Sequence, residues 1–302
     1  MLFRSGQQMT EQMMKWELGE TAYTVVGDLA SGKTPLVCLH GGPGFLGKGM
    51  AAIAGYANNH GYPAIYYDQI GCGHSSLHAD KPQSFWQIDI FIKEFSALIQ
   101  HLGIADNFAL IGHSWGGLLA AEIAISQPKG LKALILSSPL GDTDTWIDEV
   151  KLLLDKMPKE VSSVILRHEE AGTTDTPEYM EAALKFYGVN VFRIPLPQED
   201  AEMFEEAMAD QNVYNAMWGP SELLCNGTLA HHVVTDRISA INVPTLVLSG
   251  KYDECTPKTA LAYRDGIAGA RYEEFSESSH LSYREEAAKY QRVLNEFLDT
   301  TT

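Results

Sequence analysis

Serine becomes a useful nucleophile only when a base takes its proton and an acid orients that base. Residues 112–116 read Gly-His-Ser-Trp-Gly, a G-x-S-x-G pattern centred on Ser114. His280, in Ser-Ser-His at 278–280, and Asp253, in Gly-Lys-Tyr-Asp at 250–253, supply a base and an orienting acid. They follow the serine in the chain order serine, acid, histidine. A glycine-rich stretch at 40–44, His-Gly-Gly-Pro-Gly, can bring backbone close to the serine. The Gly42 and Trp115 N–H groups are the expected pair of donors to a developing oxyanion. G-x-S-x-G alone is common, and an isolated aspartate or histidine reads equally well as a turn or surface residue. All three in this order, each on a loop after an apolar run, point to acyl transfer.

Those loops need a frame. Short, almost continuously apolar runs at 36–40, 64–67, 108–112, 133–137 and 245–249 have the character of parallel strands buried on both faces. Helical patterns at 85–102, 115–126 and 258–267 alternate with them, which predicts an α/β fold with a mostly parallel, doubly wound sheet. A further run at 271–275 precedes His280 and a final helix, and 16–26 alternates weakly, as an N-terminal antiparallel hairpin would. Ser114 then sits on a strand-to-helix turn, where the helix N-terminus favours negative charge. From 141 to 236 no buried strand is evident. Amphipathic stretches at 146–157, 178–187 and 199–218, punctuated by Pro158, Pro177, Pro195 and Pro197, predict an inserted helical cap. The expected division is a core of 1–140 and 237–302, with the cap at 141–236 and residues 1–14 a flexible tail.

The 22 Lys and Arg against 39 Asp and Glu give a net charge of −17, which argues against nucleic acid and anionic lipid as partners. Cys38, Cys72, Cys225 and Cys255 form neither a CxxC pair nor a zinc spacing and read as reduced thiols. With no leader pattern and no long apolar span, the expectation is a cytoplasmic protein without a membrane partner. The adjacent His231 and His232 lack carboxylate–histidine spacing and are expected on the surface. The acidic stretch 199–206 is expected to be a solvated helix face. No metal or organic cofactor is expected, and the oligomeric state is open.

HGGPG at 40–44, DQIGCGHS at 68–75 and GHSWGG at 112–117 together resemble the prolyl aminopeptidase (proline iminopeptidase) family. That family includes the tricorn-interacting aminopeptidase and the L-amino-acid amide hydrolases. The resemblance runs from about residue 16 to the end. It implies an α/β-hydrolase core with a helical cap, and cleavage after an N-terminal residue of a short peptide or amino-acid amide. Residues 211–214 (QNVY) and 218–222 (WGPSE) resemble the cap of the tricorn-interacting aminopeptidase. By that resemblance Glu222, and Glu254 after the catalytic aspartate, bind the substrate's free amine, with Tyr214 and Gly41 as further substrate contacts. The chemistry is sound, because carboxylates hold an ammonium by charge-assisted hydrogen bonds and lose partners when the amine is blocked. The chain departs from some members in having His113 before the serine and Trp115 after it. Trp115 is expected to narrow the acyl pocket, leaving the choice between proline and another small or hydrophobic residue open.

Three other readings stand beside this one. A carboxylesterase or lactonase on the same scaffold would not need Glu222 or Glu254. An epoxide hydrolase or dehalogenase needs a carboxylate nucleophile where this chain has Ser114. A non-catalytic ligand-binding protein could dispense with catalytic residues that are all present here.

Overall fold

Strand residues alternate between two faces, and here both faces are covered, so the strands read as unbroken apolar runs. The computed structural model describes residues 10–302. Its strands are β1 (Glu11–Trp16), β2 (Gly19–Val26), β3 (Leu36–Leu39), β4 (Ala64–Tyr67), β5 (Phe108–His113), β6 (Leu131–Ser137), β7 (Thr245–Gly250) and β8 (Arg271–Phe275). They form one sheet in the order β1-β2-β4-β3-β5-β6-β7-β8. The β1–β2 and β2–β4 pairs are antiparallel and the remaining pairs parallel.

The core helices are α1 (Ala51–Asn59), α2 (Ile88–His101) and α3 (Trp115–Ile125). Five helices then separate β6 from β7: α4 (Thr143–Leu154), α5 (Lys159–Ala171), α6 (Pro177–Asn190), α7 (Gln198–Ala209) and α8 (Asn212–Met217). After β7 come α9 (Pro257–Gly266), α10 (Ser282–Glu285) and α11 (Ala287–Thr301).

Period-two alternation sends Val37, Leu39, Leu110, Leu134, Leu136 and Val247 to one face, where Phe91, Phe95 and Leu98 of α2 and Leu118 of α3 pack. Leu36, Cys38, Ala109, Ile111, Ile135 and Leu248 point to the other, against Ile53 of α1 and Leu294, Phe297 and Leu298 of α11. The first cluster continues into the inserted helices through Trp146, Val150, Ile165, Ala183 and Phe186. Both ends of the insertion are tied together by Asp142. Its carboxylate accepts the Val234 N–H (2.8 Å), the Thr235 N–H (3.0 Å) and the Thr235 hydroxyl (2.5 Å). Because β3 and β5 to β8 run parallel, their carboxyl ends share one edge. The order turns back at β3, with β4 on one side and β5 on the other, and in such sheets this switch point is where sites gather.

Four expectations change. The flexible tail does not extend to residue 14: Glu11–Trp16 pairs along its whole length with β2, and Met14 is buried. The rest of that tail, residues 1–9, lies outside the described residues. The single helical stretch at 199–218 is two helices, α7 and α8, broken at Asp210 and Gln211. The helix α5 escaped the sequence reading because only Val161 and Ile165 of it are buried, too few for a clear apolar stripe. The acidic face at 199–206 is not wholly solvated: Asp200 is 7% exposed and pairs with Arg284. Among the described residues no helix is long and apolar enough to cross a membrane.

Candidate active site

Ser114 occupies the turn between β5 and α3 with φ 57° and ψ −122°, a backbone conformation that non-glycine residues adopt only under strain. The flanking glycines make that turn possible. A Cβ on Gly112 would collide with the Gly116 carbonyl, and one on Gly116 with the Leu39 carbonyl of the neighbouring strand. The Ser114 N–H donates to the Ser137 carbonyl (3.1 Å), and its own carbonyl accepts the Gly117 (2.8 Å) and Leu140 (2.9 Å) N–H groups. The Trp115 N–H is the first donor of α3 and precedes any acceptor within the helix.

Asp253 and His280 follow β7 and β8 and meet at the same edge. The His280 Nδ1–H donates to Asp253 Oδ1 at 2.7 Å. That carboxylate is held from several sides. The Cys255 N–H reaches Oδ1 (2.7 Å), and the Ser138 hydroxyl (2.6 Å) and Gly250 N–H (3.2 Å) reach Oδ2. Burial opposes charge on the His280 ring, but Asp253, Glu254 and Glu222 outweigh it and push the imidazole up to about 9. His113 stacks beside it with ring centroids 4.6 Å apart, and burial, reinforced by the charge of His280, drives His113 well down.

The loop 40–44 is locked by its own first residue. The His40 Nδ1–H donates to the Gly41 carbonyl (2.8 Å), and Nε2 accepts the Gln69 N–H (3.0 Å). Burial pulls His40 down to about 4, so it serves as a neutral ring with fixed donor and acceptor ends. The Gln69 side chain donates to the His40 carbonyl (3.1 Å) and accepts the Trp115 indole N–H (2.9 Å), binding this loop to the start of α3. A methyl group on Gly41 would lie 3.2 Å from Ser114 Cβ, which places the loop directly beside the serine.

A cavity of about 550 Å³ opens over this edge, roofed by the inserted helices. Gly41, Gly42, Ser114, Tyr214, Glu222, Glu254 and His280 all line it. Glu222 accepts the Tyr214 hydroxyl at 2.7 Å. Burial raises its carboxyl above the usual range, and nearby Glu169 adds to that while Tyr214 and His280 oppose it. Glu254 is 5% exposed, with Oε1 3.6 Å from His280 Nε2. Its Oε2 is buried without a hydrogen-bond partner among the described residues. Burial, with the charge of Glu222 next, raises this carboxyl well above the usual range. Two carboxyls therefore face the same space, one of them under-satisfied, beside the serine and the imidazole.

Residues 34–287 match the model of the alpha/beta hydrolase fold. A proline iminopeptidase of Heyndrickxia coagulans is 35% identical over 274 residues, covering 90% of this chain and 93% of that protein. The chain belongs to the proline iminopeptidase family. Among solved structures, the proline iminopeptidase of Mycobacterium smegmatis is 35% identical with a TM-score of 0.88, over 96% of this chain and 98% of that one. VinJ is 37% identical with a TM-score of 0.94, over 97% and 99%. These family likenesses extend through the inserted helices as well as the sheet.

Every site residue named from the sequence reaches this edge or cavity except the Trp115 side chain. The indole turns inward, packs edge-on against Phe91 and is fully buried, so it does not narrow the cavity. Aromatic lining comes instead from other side chains, among them Trp146, Tyr179, Tyr187 and Tyr214. Sequence reasoning passed over Ser138, whose hydroxyl holds Asp253, and Glu169, which accepts the Ser221 (2.7 Å) and Tyr179 (2.6 Å) hydroxyls behind Glu222. Neither carries a local motif. Cys255 is buried, and its thiol donates to the Pro139 carbonyl (3.2 Å); burial, aided by Asp253 and Glu254, holds it well up and unreactive. His231 and His232 pair with Asp144 and Glu122 respectively. Away from the cavity, Glu11, Asp68 and His74 bring one ligand atom each within 4.8 Å of one another. There His74 Nδ1 hydrogen-bonds Glu11 (2.9 Å), while Asp68 accepts the Gly47 (2.7 Å) and His74 (2.9 Å) N–H groups.

Proposed function

We propose that this protein is a serine aminopeptidase or amino-acid amide hydrolase that releases an N-terminal proline or small hydrophobic residue from short peptides or amides. The reading rests on one observation above others: Glu222 and the under-satisfied Glu254 share a cavity with Ser114 and with His280, whose ring is hydrogen-bonded to Asp253. A buried carboxylate lacking donors favours a cation, and the substrate's amine supplies one, with two N–H groups for proline and three for other residues. Residues 141–236 act as the cap that closes this space over the core of 1–140 and 237–302.

In the proposed mechanism His280 takes the Ser114 proton as the serine oxygen attacks the carbonyl of the first residue. The Gly42 and Trp115 N–H groups receive the oxyanion. His280 then delivers its proton to the leaving amine or ammonia. A water deprotonated by His280 cleaves the acyl-enzyme, and the proton returns to Ser114 as the amino acid leaves. Asp253 holds the ring in the tautomer with Nδ1–H, and Tyr214 and Gly41 help shape the substrate space. The test is a panel of L-prolinamide, L-alaninamide, their arylamides and the corresponding dipeptides. Release of the free amino acid by the native protein, lost in Ser114→Ala, supports the reading. Hydrolysis of simple esters and lactones with none of these amides would replace it with a carboxylesterase or lactonase.

A further inference from the structure

The Nδ1 of His280 is committed to Asp253, so Nε2 is the nitrogen left to serve Ser114. That same Nε2 lies 3.6 Å from Glu254 Oε1, with both side chains about 6% exposed. The second oxygen of Glu254 lacks a hydrogen-bond partner among the described residues, and Glu222 faces the same cavity. A substrate ammonium seated between these carboxylates must therefore come close to the imidazole that is to act as base.

We propose that Glu254 couples amine recognition to the base: it holds His280 as an imidazolium until a substrate ammonium takes over the carboxylates, so that a free amine is required for turnover as well as for binding. This rests on the functional reading above and adds a step to it.

The electrostatics have a definite sign. Asp253 and Glu254 face His280 from the loop after β7, and Glu222 faces it from the inserted segment. From β5 comes His113, kept neutral by burial. Trp146 of α4 meets the ring edge-on, and Tyr283 of α10 packs on His113. Among these groups His280 is the one positioned to carry positive charge, and it stands at about 9; Glu254, itself raised by burial and by Glu222, is drawn back toward its carboxylate form by that charge. A second cation within about 4–6 Å moves a titrating group by about 1–3 pH units, and here it moves His280 down. The balance is an exchange: the substrate ammonium enters, one proton leaves Nε2 for solvent, and the cluster keeps its charge. No bond to carbon forms or breaks in this step. An N-acylated substrate leaves the imidazolium in place, and Nε2 then has no lone pair for the Ser114 proton.

Ser114→Ala protein titrated with L-prolinamide and with L-alaninamide by calorimetry at pH 7, in two buffers of different ionisation enthalpy, reads that proton. A downward move of His280 by about 2–3 pH units releases about 0.5–0.9 proton per bound ligand at pH 7, and tight binding with no release overturns the coupling. A second readout uses the Glu254→Gln variant with an intact Ser114. Its acidic limb of kcat/KM on a neutral p-nitrophenyl ester should move down by at least one pH unit. Ester hydrolysis at pH 6.5 should then rise about ten-fold or more while prolinamide hydrolysis falls. An unmoved limb overturns the coupling even if amide activity is lost. Failure of the native protein to hydrolyse either amide at any pH overturns the functional reading itself.

Discussion

Asp253 accepts four hydrogen bonds, from His280, Ser138, Gly250 and Cys255, whereas Glu254 beside it has an oxygen with none among the described residues. Adjacent residues thus divide two tasks, one carboxylate fixed by the protein and the next open toward the cavity. Ser114→Ala should reduce amide turnover by at least about 10³-fold while leaving the circular dichroism spectrum and Tm unchanged. Glu222→Gln should cost amine-bearing substrates about 10–100-fold more in kcat/KM than a p-nitrophenyl ester; equal losses on both would remove Glu222 from amine binding. Ser114, Asp253 and His280, which meet at one edge of the sheet, were legible in the sequence because each follows an apolar strand run. Ser138 and Glu169 were not, since a hydroxyl or carboxylate that works by reaching across the fold leaves no mark on its own neighbours. The Trp115 indole misled for a related reason: motif position fixes the backbone N–H but not which way the side chain turns.

The inserted helices form the roof of the site, and the two ends of the insertion are tied together at one corner. Asp142 receives three donors from Val234 and Thr235, joining the start of the insertion to the chain returning to β7. Glu122 reinforces the same corner by pairing with His232 and, through both oxygens, with Arg237. Asp142→Ala should lower stability by roughly 2 kcal/mol and Tm by a few °C. It should raise KM more than it lowers kcat, because the roof loosens while the groups on the sheet stay in place. Faster amide hydrogen exchange across 231–236 would accompany this, and an unchanged KM would contradict it. Strands β3 to β7 were read from the sequence to within two residues, since burial on both faces gives continuous apolar runs, whereas β1, mostly exposed, was read as tail. The insertion was read as helical but with the wrong divisions. Its helices are buried on narrow stripes, and the break between α7 and α8 carries no proline or glycine to announce it.

At the scale of the whole molecule, the sheet is joined to the helical layer by a buried carboxyl outside the cavity. Glu94 of α2 is fully buried, hydrogen-bonded to the Thr21 hydroxyl of β2 (2.5 Å) and the Ile70 N–H of the loop after β4 (2.9 Å). Burial pushes it up from 4.5 to about 8, against the opposing effect of those two hydrogen bonds. The folded chain therefore keeps a proton between those values that the unfolded chain has lost. The stability this provides is complete below about 4.5 and disappears as pH rises through about 8. Native Tm should fall from pH 6 to pH 9. Glu94→Gln, which mimics the protonated acid, should flatten that fall by up to roughly 1.4 kcal/mol per pH unit; an equally steep decline in the variant would place the effect elsewhere. This carboxyl was invisible to sequence reasoning because nothing in an amphipathic helix pattern distinguishes a buried glutamate from a solvated one. The account as a whole makes one demand on the molecule: Ser114 chemistry governed by a free amine. The most direct test is kcat/KM of the native protein at pH 7.5 for an L-alanine or L-proline arylamide and its N-acetyl derivative. The account predicts that the free-amine substrate is favoured by at least about 100-fold, and equal or faster cleavage of the N-acetyl derivative would contradict it.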